Sequence, residues 1–118
     1  MAQIKEAYVS FDTAKLLKEK GFNEDCYTCY VTDEIQHYDY KSRNSDLING
    51  VISAPTQQMA MRWLREVNHL YIMVDFNFSR YKYKIFSSKG LLASTYYVHA
   101  TYELAVENAI NYCLTNLI

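Results

Sequence analysis

The spacing of hydrophobic positions along the chain changes period several times, and each change marks an element. Met59, Ala60, Trp63, Leu64 and Val67 recur at the i, i+3, i+4, i+7 spacing of one helix face. Thr56, just after Ala54-Pro55, is placed to cap this helix, and Arg62 and Glu66 stand one turn apart on its other side. From Leu70 the period drops to two. Leu70, Ile72, Val74, Phe76 and Phe78 alternate with Tyr71, Met73, Asp75 and Asn77, which predicts a strand with the first set facing the core. After a turn near Ser79, Tyr81, Tyr83 and Ile85 alternate with Arg80, Lys82 and Lys84, a second strand with one basic face. Ser87-Ser88-Lys89-Gly90 reads as a turn and residues 91–98 as a third strand.

The flanking segments complete the pattern. Ser10 caps a predicted helix over residues 11–20; Gly21 stops it, and Phe22 folds back as its apolar contact. Residues 26–32 are dense in strand formers, and residues 34–40 form the partner strand after a turn near Asp33. Residues 41–53, with an Asn49-Gly50 turn signal, read as a long loop. Thr101 caps a last helix to about residue 116, whose apolar stripe is Tyr102, Val106, Ala109, Ile110, Cys113 and Leu117. The order is α-β-β-α-β-β-β-α. It predicts an α+β fold, a small antiparallel sheet with about three helices on one face, in a single domain over residues 1–118.

Composition narrows the partners. At 118 residues the chain can bury a core without metals or disulfides, and no cofactor is called for. A formal net charge of -1 provides no global field for long nucleic acid or an acidic membrane, and no apolar run approaches the length of a span. Residues 1–6 lack the apolar core of a signal peptide, and three cysteines, an odd number, fit a reducing cytoplasm. Twelve tyrosines are the departure from ordinary composition. Their apolar rings and polar tips suit interfaces and ligand pockets.

Chemical motifs are sparse. Cys26-x-x-Cys29 can be read as structural thiols, half a metal site or a redox pair. The first is favoured, because no second tight ligand pair exists and the two positions point to opposite faces of a strand. His37, His69 and His99 are scattered, no nucleophile elbow or Gly-rich phosphate loop is present, and Glu103 and Glu107 read as a solvated helix face. A small enzyme using a Cys or His is therefore the weakest class. The strongest candidate surface is Arg80, Lys82 and Lys84, which strand alternation puts on one face, where they can meet phosphate or carboxylate. Tyr38, Tyr40, Tyr96 and Tyr97 can add stacking or a self-complementary contact, hence a homo-oligomer.

The segments Ala14-Lys15-Leu16-Leu17-Lys18-Glu19-Lys20-Gly21-Phe22, Ala54-Pro55-Thr56-Gln57-Gln58-Met59-Ala60, Trp63-Leu64-Arg65-Glu66 and Tyr102-Glu103-Leu104-Ala105-Val106-Glu107 together resemble a group of small uncharacterised proteins of bacteriophages and prophages of gut Bacteroidetes. The likeness extends from Ser10 to Ile118. It implies a phage accessory protein acting in the cytoplasm of a bacterial host, and it assigns no catalytic residue. Residues and resemblance together point to a non-enzymatic, self-associating binding protein. Its partner would be a host or phage protein, or a small anion such as a nucleotide. A narrower version is an anti-defence protein that sequesters a nucleotide second messenger or inhibits a host immune enzyme.

Overall fold

Helix α1 spans Phe11–Glu19 because both of its ends are chemically specified. The Ser10 hydroxyl accepts from the Thr13 amide at 3.2 Å. At the other end Gly21 takes φ +95, so Gly21 N donates to the Lys18 carbonyl and Phe22 N to the Leu17 carbonyl. That pair of bonds closes a Schellman motif and drives the Phe22 ring into the core, edge-on to Trp63 with centroids 5.5 Å apart. This is a computed structural model, described over residues 4–118; part of the leader reading on residues 1–6 lies outside the described residues.

Strands β1 (Cys26–Val31) and β2 (Glu34–Ser42) form the expected hairpin, with Val31 opposite Glu34 and Thr32 at φ +57 in the turn. Residues 41–53 are not one loop. β2 runs on to Ser42, a 3-10 turn follows at Asn44–Asp46, and β3 (Val51–Ser53) pairs antiparallel with β1. Asn44 pins this segment from inside: its Nδ2 donates to the Phe22 carbonyl and its Oδ1 accepts from Ser53 N, both at 2.8 Å.

Helix α2 (Gln57–Asn68) starts at Thr56, whose hydroxyl accepts from Met59 N, and ends at His69 in the left-handed region. Ala60, Trp63 and Leu64 are buried, while Val67, expected on the same face, is exposed in the last turn of the helix. Strands β4 (Tyr71–Asn77), β5 (Arg80–Ser87) and β6 (Gly90–Ser94) form a second antiparallel sheet in that order. β6 is shorter than the predicted strand. The chain leaves the sheet after Ser94, bends through Tyr96 and Tyr97, and rejoins β5 where His99 bridges Tyr81.

Helix α3 (Tyr102–Tyr112), capped by Thr101, continues as a π turn over Cys113–Leu117. The fold is thus α+β, with two three-stranded antiparallel sheets, β2-β1-β3 and β4-β5-β6, in place of one. α1 lies against β3, α2 against β4, and α3 against β4 and β5. Leu17, Phe22, Leu64, Ile85, Ile110 and Leu114 fill the space between, each almost fully buried. The molecule is a slab 41 × 41 × 20 Å, about two layers thick.

Glu107 does not sit on a solvated face. It reaches across from α3 to the start of α1, where its carboxylate accepts from Ser10 N, Ser10 Oγ and the Thr13 hydroxyl, and from Gln57 Nε2 at the start of α2. One carboxylate ties the amino ends of two helices to the side of a third, where their unpaired N–H groups favour negative charge.

Candidate functional site

Strand alternation on β5 does what the residue pattern requires. Tyr83 and Ile85 are buried against the helices, and Arg80, Lys82 and Lys84 stand on the opposite face. The register with β4 sets their neighbours: Arg80 faces Asn77, Lys82 faces Asp75, and Lys84 faces Met73. These cations line a hollow of about 430 Å³ with Asp75, Asn77, Phe78 and Val98. Lys84 Nζ lies 3.5 Å from Asp75 Oδ2, leaving Arg80 and Lys82 without an ion-pair partner among the described residues. The hollow therefore carries an excess of positive charge beside an apolar rim.

Phe78 is the residue that sequence alternation misplaced. It was expected in the core, yet it is 92% exposed. Residues 78 and 79 form the two-residue turn between β4 and β5, and both take positive φ, +51 and +62. That backbone is the type I′ hairpin form, which ordinarily takes Asn-Gly. A phenylalanine there is held in a conformation unfavourable for a bulky side chain. The turn thus places a free aromatic ring at the mouth of the cationic hollow, at a cost in backbone energy. A turn near Ser79 is legible in the sequence, but Phe78-Ser79 carries no Asn-Gly mark of this turn type, so nothing local takes Phe78 off the strand.

The tyrosines are not gathered there. Tyr38 and Tyr40 pack against each other as tilted rings on β2 of the other sheet, centroids 5.2 Å apart, and the neighbouring Cys29 thiol raises the Tyr38 phenol pKa. Tyr96 and Tyr97 are 93% and 79% exposed in the bend after β6, whose end at Val98 touches the hollow. The bend lets both adjacent rings reach solvent, which a regular strand would not.

Other constellations are chemically quieter. A hollow of about 440 Å³ beside α2 holds Lys41, Arg43 and Arg62, but also Glu24, Asp25 and Glu66. Arg43 Nε is 3.0 Å from Asp25, and three cations against three carboxylates leave this hollow with no net charge. Cys26 and Cys29 are buried free thiols. Burial and the nearby Asp25 and Glu24 push the Cys26 thiol up to about 11, the reverse of what a reactive thiol needs. Among the described residues no three Cys, His, Asp or Glu side chains converge as a metal site. His37 packs edge-on against Tyr8, His69 ends α2, and His99 Nδ1 lies 3.1 Å from the Tyr81 carbonyl oxygen. No described helix is long and apolar enough to cross a membrane. No family model, curated protein or solved structure matches the chain.

Proposed function

We propose that the chain is a binding protein whose ligand is a small anion bearing a planar group, of which a nucleotide is the model. The observation that carries this reading is the exposed, backbone-strained Phe78 beside unpaired Arg80 and Lys82 in one hollow of about 430 Å³. The guanidinium and ammonium groups supply donors for phosphate, and the ring supplies a stacking face. The volume falls within the range of small-molecule sites. The resemblance to phage-encoded proteins extends the proposal to an accessory role in the host cytoplasm, sequestering a nucleotide second messenger.

A melting-temperature screen against mononucleotides, linear dinucleotides and cyclic nucleotides tests it. A ligand at a hundred times its Kd stabilises the native state by about 2.7 kcal/mol, a readily measured shift. The shift is expected to shrink in R80E and K82E and to weaken as salt is raised. A screen with no response, or a response that both variants retain, sinks the reading.

A further inference from the structure

The second sheet ends in a strand whose edge is left open. β4 has β5 as its single hydrogen-bonded neighbour among the described residues. Which backbone groups face outward follows from the far side of β5. Tyr81 exchanges both of its backbone bonds with His99, at 3.0 and 2.8 Å, and the Tyr83 carbonyl accepts from Thr95 N. Odd positions of β5 therefore turn toward β6, and even positions turn toward β4. Lys82 and Lys84 pair with Asp75 and Met73, so Asp75 and Met73 spend their N–H and C=O on β5. Ile72, Val74 and Phe76 point theirs at the open edge.

Open edges are normally blunted by charge, proline, bulges or shortness. The other edges in this chain have such devices. β3 is three residues long, β6 carries a register shift against β5, and β2 is irregular opposite β1 and bears Glu34, Asp39 and Lys41. β4 is seven residues long, in unbroken register, and its one charge, Asp75, belongs to the residues bonded to β5.

We infer that β4 pairs with β4 of a second copy of this chain, antiparallel about a two-fold axis through Val74. The pattern is self-complementary about that residue. Val74 meets its own image, and Ile72 meets the image of Phe76, each as a pair exchanging both backbone bonds, for about six bonds in all. Their side chains share one face, so every cross-strand contact on it is apolar. The pairing supplies what Phe76 lacks, since its ring is 64% exposed and has Tyr81 on one side at 5.0 Å. On the other face Asp75 meets the image of Met73, so no like charges oppose directly. The product is one continuous six-stranded sheet. This inference does not depend on the ligand reading, and it puts self-association on a strand edge instead of on the tyrosine clusters.

Native mass spectrometry and light scattering over a concentration series test it. Wild type is expected at twice the 13.9 kDa chain mass, and V74K, which sets two ammonium groups against each other at the axis, at the single mass with a retained circular dichroism spectrum. Tyr96→Ala combined with Tyr97→Ala is expected to leave the double mass unchanged. Hydrogen exchange on wild type removes dependence on the variant's folding. The Ile72, Val74 and Phe76 amides should be protected when concentrated and lose that protection on dilution, while Met73 and Asp75 stay protected. A wild type that is monomeric throughout, edge amides that exchange freely when concentrated, or loss of the double mass in the tyrosine variant overturns the inference.

Discussion

Glu107 and the cysteines show how a residue's surroundings decide its role. Glu107, a charged residue at a helix position read as solvated, has its partners Ser10, Thr13 and Gln57 up to 97 positions away. No local pattern encodes such a contact. The same carboxylate, after burial itself, raises the Tyr30 phenol pKa, and Tyr30 donates to the Val9 carbonyl at 2.6 Å. The thiols were better read: Cys26, Cys29 and Cys113 are all buried and free. Burial pushes Cys113 up to about 12 and, with neighbouring acids, Cys26 up to about 11, from 9.0. Both folded values lie above the unfolded one, so the unfolded chain gives up these protons first. Their contribution to stability is whole below pH 9 and declines as pH rises toward 11 and 12. The melting temperature is expected to fall above pH 9, and to fall less steeply in C113A compared with its own value at pH 7; equal slopes would remove Cys113 from the cause.

Elements were legible where their ends are local chemistry. Ser10, Thr56 and Thr101 each cap the helix they were assigned, and Gly21 with Phe22 closes α1, because each device acts within a few residues. β3 was invisible for the opposite reason. Three residues cannot display a period, and they become a strand through pairing with Cys29, Tyr30 and Val31 twenty or more positions earlier. The β4–β5 hairpin shows a third case. Its alternation holds as far as Phe76, which is 64% exposed at the far end of the face that begins with buried Leu70; Phe78 belongs to the turn, where positive φ ends the alternation and the ring lines the cationic hollow instead. The turn itself can be relieved. Phe78→Asn with Ser79→Gly restores the residues a type I′ turn prefers, and unfolding in urea is expected to show a gain of about 1 kcal/mol. The same variant removes the aromatic ring, so nucleotide-induced stabilisation should shrink as intrinsic stability rises. A variant that is both more stable and equally responsive to ligand separates Phe78 from binding.

For the whole molecule, the α+β class and the order of the elements apart from β3 followed from periodicity, whereas the division into two sheets did not, since sheet membership is set by long-range pairing. Tyr38 and Tyr40 accordingly lie on a different sheet from Arg80, Lys82 and Lys84. A paired β4 edge would lay two cationic hollows on the same side of one six-stranded sheet, and titration calorimetry is expected to give two equivalent sites per dimer; one site per dimer would mean that the hollows merge or obstruct each other. The decisive strand is shared. Side chains of Asp75 and Asn77 line the hollow, while Ile72, Val74 and Phe76 of the same seven residues hold the open edge. A ligand that stiffens β4 removes motion that pairing would otherwise have to remove, and pairing does the same for the ligand. Thermodynamic reciprocity would then fix the relation: each bound ligand strengthens dimerisation by the factor by which dimerisation sharpens a site's affinity, and two bound ligands by its square. If both proposals hold, a strand so placed would make capture of a small molecule a vote on assembly.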